Sequence, residues 1–389
     1  MNFDQIIDRR GTDCVKHDLV PVMRLPEDTL PLWVADMDFP APECVGEALH
    51  RMIDQRIYGY SFAGKEYHEA VMNWFQRRFD WTIKEEWLVE TPGVVFALCT
   101  AVKAFTKPGD GVAMLLPVYN HFFEAVEDNG RRVVASVLQN KGGRYEIDWA
   151  DLERKLDEEA PKLFLLCSPH NPVGRVWTEE ELRKLGQLCF ERNILVVADE
   201  IHCDFTYSGH RHIPFQSLGE AFARQSIACT APSKTFNLAG LKTSNIVIPD
   251  DMLRNTFRKE LDKQGAGGVN LFGMAACRAA YEGGEHWLEE LRSYLWGNYQ
   301  KLCSFVEQEL PELKVTELEG TYLAWVDVSG LNLTAEEQDE LLTQKARVWL
   351  NRGETYGQGG ENFWRFNLAC PRSVLVEALE RLRDAIHGA

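Results

Sequence analysis

"KLFLLCSPHNPVGRVWTEEELRKLGQLCFERNILVVADE", residues 162–200, is an apolar run, an amphipathic stretch and a second apolar run. The runs KLFLLCS and ILVVA are apolar at consecutive positions, so both faces of each strand must be covered. Between them Thr178 and Glu181 stand at the spacing of a capping box, which opens a helix. Strand, helix and strand of this length make a right-handed crossover between parallel neighbours. The alternation continues on both sides. Upstream, GVVFALCTAVKAF reads as a buried helix, GVAMLLP as a strand and NHFFEAVEDNG as a helix ended by glycine. RRVVASVL is a further strand, and DWADLERKLDE an amphipathic helix begun by an aspartate. Downstream, QSIACTAP is one more strand. The fold class expected is α/β, a mostly parallel sheet between helices, over residues 46–284. Beyond 285 the character changes. One long helical pattern, EHWLEELRSYLWGNYQKLCSFVEQEL, precedes the strands TYLAWVDVSG and NFWRFNLACP and a terminal helix SVLVEALERLRDAIHG. Residues 1–45 with 285–389 are assigned to a smaller α+β domain.

The bulk properties narrow the function. The 389 residues are 45% apolar and 26% charged, the balance of a soluble globular protein with a large core. A formal net charge of −17 argues against nucleic acid as a partner, because phosphate-backbone affinity needs clustered Lys and Arg. It leaves room for a small anion in a local pocket. The opening MNFDQIIDRRGTDCVKHD is polar and mixed in charge, unlike a secretory signal, and no apolar run is long enough to span a membrane. The ten cysteines stand mostly singly within apolar segments without a CxxC, as reduced, buried side chains do. A cytoplasmic protein is expected, with no membrane and no nucleic-acid partner.

In an open parallel sheet, ligands bind at the carboxyl ends of the strands. The unusual polar residues fall there. PHNPVG follows KLFLLCS and places Asn171 between two prolines; Asp199-Glu200-Ile201-His202 follows ILVVA; Ala231-Pro232-Ser233-Lys234 follows SIACT. Thr91-Pro92-Gly93 precedes the helix that begins at Val94, and a helix N-terminus offers free N–H groups to a phosphate. An amine, a carboxylate at a buried strand end, a side-chain amide and an anion cradle would each be used by one cofactor: pyridoxal 5′-phosphate, with its aldehyde, basic ring nitrogen, hydroxyl and phosphate.

Six motifs then stand in order along about 275 residues: TPGVVFAL, PVY, SPHNPVGRVWT, VVADEIHCDF, APSKTFNLAGLK and FWRFNLACPR. Together they resemble the aspartate aminotransferase superfamily of fold-type I pyridoxal-phosphate enzymes over nearly the whole chain. WVADMDFPAP, YGYSFAG, DEIH and SKTFNLAGL narrow the resemblance to the cystathionine β-lyase, or C–S lyase, subgroup. The resemblance implies a role for each matching position. Lys234 matches the lysine that holds the cofactor through its amine and moves the proton at the substrate Cα. Asp199 matches the carboxylate paired with the ring nitrogen, Asn171 the donor to the ring hydroxyl, and Tyr119 the aromatic stacked on the ring. Val94 and Val95 match backbone phosphate contacts. Lys242 stands where many relatives place a phosphate-clamping arginine. Tyr60 matches a tyrosine that reaches the phosphate of the neighbouring subunit, which implies a homodimer with its active site at the interface. Arg365 matches the arginine that forks onto the substrate α-carboxylate. Two positions depart from the common pattern. Ala231 removes a hydroxyl often found three residues before the lysine, leaving Ser233 or Thr230 to compensate. His202 replaces the tyrosine usual in aminotransferases, and its protonation state bears on the ring.

Three functions compete. The first is a C–S β-lyase that eliminates a thiol from L-cystathionine or a cysteine S-conjugate, giving pyruvate and ammonia. The second is an aminotransferase using the same residues on an L-amino acid and a 2-oxo acid. The third, from another class, is a regulatory protein acting through a partner. A metal at His202, Cys203, His210 and His212 is disfavoured, since the first two would point to opposite sides of a strand and no zinc spacing matches. GAGGVN is not a dinucleotide fingerprint, no P-loop exists, and Ala231 excludes a serine three residues before Lys234.

Overall fold

The computed structural model describes residues 1–207, 209–265 and 268–388. Ser208 of HCDFTYSGHRH, Ala266 and Gly267 of GAGGVN, and Ala389 lie outside the described residues.

Strands Leu163–Cys167 and Leu195–Asp199 are buried at every position. Alternate residues go to opposite faces, as the pleat requires. Leu163, Leu165 and Val197 join one apolar cluster with Leu98, Phe122 and Ile227. Phe164, Leu166 and Val196 join another with Leu152, Trp177 and Leu182. Helices on both sides explain why the sequence shows apolar runs rather than alternation. The helix between the two strands, Glu179–Glu191, opens on the expected capping box. Thr178 accepts from the Glu181 backbone N–H, and Glu181 accepts from that of Thr178. Such a cap contributes about 1 kcal/mol.

These strands belong to a seven-stranded sheet. Its order is Leu88–Thr91, Ser244–Val247, Ser226–Thr230, Leu195–Asp199, Leu163–Cys167, Gly111–Leu116 and Arg132–Val137. The last five run parallel. Ser244–Val247 is antiparallel to both of its neighbours. It and Leu88–Thr91 escape the sequence reading because each is only four residues long and follows a three-residue 3-10 turn, Ala239–Leu241 and Glu85–Trp87, rather than an amphipathic helix.

One local expectation is corrected. No strand continues through His202 and Cys203. The strand ends at Asp199, whose Oδ1 accepts from the Ile201 backbone N–H at 3.1 Å and turns the chain at once. Successive turns follow, with Cys203 N donating to Glu200 O and Phe205 N to His202 O. Both side chains are buried in this turn, so strand alternation is not what separates them.

The remaining sheet is antiparallel: Lys314–Val315, Leu323–Asp327, Phe363–Asn367 and Asn351–Arg352. It shares a core with the terminal helix Arg372–His387 and with Leu302 and Phe305 of the helix Glu285–Glu309. Leu30–Pro31 pairs parallel with Val348–Trp349, which ties the N-terminal segment to this part of the chain. We propose the division into 46–284 and 1–45 with 285–389 on that pairing. The helix Glu285–Glu309 serves both parts, because its first turns send Trp287, Leu288, Leu291 and Leu295 into a core with Trp74 and Phe236.

Candidate active site

Three adjacent strands end side by side, and their carboxyl ends deliver Asn171, Asp199 and Lys234. Lys234 lies on a single helical turn, Pro232–Thr235, started by a proline whose fixed φ suits that position. Its Nζ donates to the Ala35 carbonyl at 2.6 Å. Burial, then the nearby Arg365 guanidinium, pull the amine down to about 8, while Asp36 and Asp199 oppose the shift. An amine in that range supplies a neutral nucleophile and base near neutral pH.

Asp199 is buried, and burial pushes its carboxyl up to about 7 against the Ile201 N–H and the Lys234 charge. A carboxylate placed there calls for a close cation. His202 is buried edge-on to Tyr322, with ring centroids 5.7 Å apart. Burial, then the charges of Lys234 and Arg365, push its imidazole toward the neutral form, and among the described residues its Nδ1 has no hydrogen-bond partner.

Asn171 and Arg365 meet. Arg365 Nη1 donates to Asn171 Oδ1 at 3.1 Å and Nη2 to the Trp33 carbonyl at 2.8 Å. The guanidinium lies 5.1 Å from the centre of the Tyr356 ring, and its Nε–H is buried without a partner among the described residues. Tyr119 donates its backbone N–H to the Asn171 carbonyl, and burial raises its hydroxyl above the ordinary value. Lys234, Tyr119, Lys242 and Arg365 line one cleft of about 730 Å³. Asn171, Asp199 and His202 are buried behind these groups.

Apart from Lys242, the other expected residues are not in the cleft lining. Val94 and Val95 begin the helix Val94–Phe105, with Val94 packed in the core. Gly93, at φ +154°, precedes them with no side-chain cap, so the first N–H groups are left to an anion. Ser233 is half-buried beside Lys234. Lys242 is exposed at φ +49°. Tyr60 is fully exposed and does not line the cleft of its own chain. Of the disfavoured metal set, His210 lies within reach of Glu317 and Glu319, but Glu319 is already taken by Arg175 and Arg144.

Sequence reasoning missed Trp33–Asp36, Asn351 and Tyr356, which also line the cleft. The N-terminal residues sit about 200 positions from Lys234, and nothing in their spacing announces contact with it.

The donor set fits pyridoxal phosphate. The group has an anion for the helix start at Val94, a cation for the raised carboxyl of Asp199 and an aldehyde for the Lys234 amine. A substrate carboxylate suits the unpartnered Arg365 Nε–H.

Comparison with known proteins agrees. The model of the family "Aminotransferase class I and II" matches residues 27–382. The chain is 45% identical over 386 residues to cystathionine β-lyase PatB of Bacillus subtilis, covering 99% of this chain and 100% of that one. The structure of cystalysin from Treponema denticola, which contains pyridoxal 5′-phosphate, superposes with a TM-score of 0.97. Its identity is 37%, covering 100% of this chain and 99% of the other. The PLP-bound C–S lyase of Staphylococcus hominis gives a TM-score of 0.92 at 36% identity, covering 99% and 98%.

Proposed function

We infer that this chain, which belongs to the class I and II aminotransferase family, is a pyridoxal-phosphate-dependent C–S β-lyase. Its substrate is an L-amino acid with a thiol leaving group on Cβ, such as L-cystathionine or another cysteine S-conjugate. The net reaction cleaves the Cβ–S bond with water, giving a thiol, pyruvate and ammonia. The observation that carries the reading is the convergence of the half-buried Lys234 amine, the buried Asp199 carboxyl and the buried Arg365 guanidinium in one place.

When bound, pyridoxal phosphate supplies an aldehyde for the substrate amine and an electron-accepting ring. The chain's residues do the rest. Arg365 binds the α-carboxylate through its guanidinium, whose Nε–H is free to donate. Lys234 takes the proton from Cα, and the sulfur leaves Cβ with the electron pair of the C–S bond. Asp199 would hold a proton on the ring nitrogen. Asn171 and His202 would meet the ring hydroxyl, and Tyr119 would pack against the ring. The N–H groups at Val94 and Val95, with Ser233 and Lys242, would hold the phosphate.

The deciding experiment mixes purified protein, L-cystathionine and no 2-oxo acid, and measures pyruvate and free thiol. Stoichiometric appearance of both supports the lyase. Turnover that strictly requires an oxo-acid acceptor makes the chain an aminotransferase instead. Lys242→Ala is expected to weaken cofactor retention about tenfold, as loss of a charged hydrogen bond does. Unchanged cofactor affinity on dialysis would remove Lys242 from the phosphate site.

We further propose a homodimer in which Tyr60 completes the partner's phosphate site. In support, Tyr60 stands in an exposed apolar stretch with Ile57 at 77% and Phe62 at 86% exposure, a surface that a second copy would cover. A cytoplasmic location is our reading of ten free cysteines. Among the described residues no helix is long and apolar enough to cross a membrane.

A further inference from the structure

Asp204 is a buried carboxylate that the reaction does not use. It lies in the succession of turns that follows the strand Leu195–Asp199. Its chain neighbour is fixed on both sides: Phe205 N donates to His202 O at 3.0 Å, and Phe205 O accepts from Thr321 N at 2.9 Å. The two oxygens of Asp204 face two ways. Oδ2 accepts from the Thr235 hydroxyl at 2.8 Å, with the Cys203 thiol 3.9 Å from the same atom. Oδ1 accepts from Arg78 Nε at 3.3 Å. Arg78 belongs to the helix Lys65–Phe79 and lies 5.3 Å from the centre of the Trp74 ring. Its Nη1 donates to Glu289, with Glu285 3.5 Å away. The carboxylate thus has its counter-charge on the side away from the cleft. A buried pair of this kind is a weak source of stability. What it supplies here is a fixed acceptor for one hydroxyl.

That hydroxyl belongs to the residue after Lys234. The turn that carries both, Pro232–Thr235, has four residues and is closed by one backbone bond, Phe236 N to Pro232 O at 2.9 Å. A single turn does not hold itself, because fixing its dihedrals costs more than one hydrogen bond returns. Its orientation comes from its anchors. On the entry side stands the strand Ser226–Thr230. On the exit side Asn237 Nδ2 donates to Met37 O at 2.9 Å and Phe39 O at 3.0 Å. Within the turn, among the described residues, two side chains make hydrogen bonds: Lys234 to Ala35 O and Thr235 to Asp204. The first is given up whenever the amine is engaged elsewhere. The second joins two buried residues and does not depend on where the amine goes.

We propose that Asp204 is a positioning residue for Lys234: by holding the Thr235 hydroxyl it fixes the roll of the turn, and with it the direction in which the lysine side chain leaves the backbone. The proposal rests on the reading of Lys234 as the amine that holds the cofactor. The link is short and continuous. Lys234 and Thr235 are adjacent, so a rotation of the turn that moves one moves the other. Asp204 also follows Asp199 on the same run of turns, so the contact sets the amine relative to the carboxyl that shares its site. Placement of this kind is what a reacting pair requires.

The test measures how fast Lys234 of the full-length chain, freed of cofactor, captures added pyridoxal 5′-phosphate. Samples are quenched with borohydride at intervals, and the adduct on the Lys234 peptide is quantified by mass spectrometry. Thr235→Val keeps the volume and removes the hydroxyl. It is expected to slow capture about tenfold, the scale for loss of a hydrogen bond to a charged group. Thr235→Ser keeps the hydroxyl and is expected to capture at nearly the wild-type rate. Non-covalent binding of pyridoxine 5′-phosphate, which lacks the aldehyde, is expected to be equal in all three, since the ring and phosphate contacts lie elsewhere. Wild-type capture in folded Thr235→Val overturns the proposal. So does a Thr235→Ser variant slowed as much as Thr235→Val, or a parallel loss of pyridoxine 5′-phosphate binding, which would mark general damage to the site. Should Thr235→Val fail to fold, Thr235→Ala, which needs less space, decides by the same criteria. The lyase reading fails on a different observation, namely no pyruvate from cystathionine with the wild type.

Discussion

Lys234→Ala is expected to lower kcat on L-cystathionine by about 10⁴-fold, the upper range for loss of a positioned base. That corresponds to about 5 kcal/mol of barrier. The loss has two sources. Alanine cannot hold the cofactor covalently, and among the described residues no other amine in the cleft replaces the base: Lys242 is exposed and stands ahead of the strand Ser244–Val247. The fold should survive, because among the described residues the side chain's hydrogen bond runs to the Ala35 carbonyl alone, which keeps its Tyr322 donor. Borohydride treatment of the wild type should add the reduced cofactor's mass to the peptide containing Lys234, and the variant should show no adduct. Wild-type turnover in the variant, or an adduct elsewhere, would remove Lys234 from the mechanism.

Asp199→Asn is expected to cost about 10²–10³-fold in kcat, the scale for one preorganised charge at the reacting centre. The same substitution should stabilise the protein without cofactor. Asp199 has a folded-state value of about 7 against 3.8 in the unfolded chain, so its contribution is favourable below pH 3.8 and is lost as pH rises through 7. Above pH 7 the buried anion costs up to about 4 kcal/mol, which asparagine does not incur. Denaturant unfolding of the cofactor-free variant should therefore exceed wild type at pH 8, with the gain shrinking toward pH 5. Equal stabilities at pH 8 would mean that Asp199 is solvated or already paired.

Much of this site was legible from residue order alone. The consecutive apolar residues of KLFLLCS and ILVVA declared a sheet covered on both sides, and that placed Asn171, Asp199 and Lys234 at neighbouring strand ends. Resemblance supplied Tyr119 and Arg365, which the fold brings to the same cleft. The rest was hidden for physical reasons. Ala35 acts through a carbonyl, which every residue possesses, so no side-chain pattern could reveal it. Trp33 and Asp36 come from the far end of the chain, brought in by the pairing of Leu30–Pro31 with Val348–Trp349 and by the hydrogen bonds of Asn351, Arg365 and Asn367 to their carbonyls. The turn after Asp199 was misread as strand because Ile201 continues the apolar pattern, while the decisive contact is a side-chain oxygen capturing a backbone N–H two residues on.

The helix Glu285–Glu309 has one more implication. Its opening turns are cemented into the interior beside Trp74 and Phe236, and its closing turns into the interior beneath the antiparallel sheet. A single rod rooted at both ends ties the two interiors together, so any shift of the antiparallel sheet relative to the seven-stranded one would have to carry or bend this shared helix.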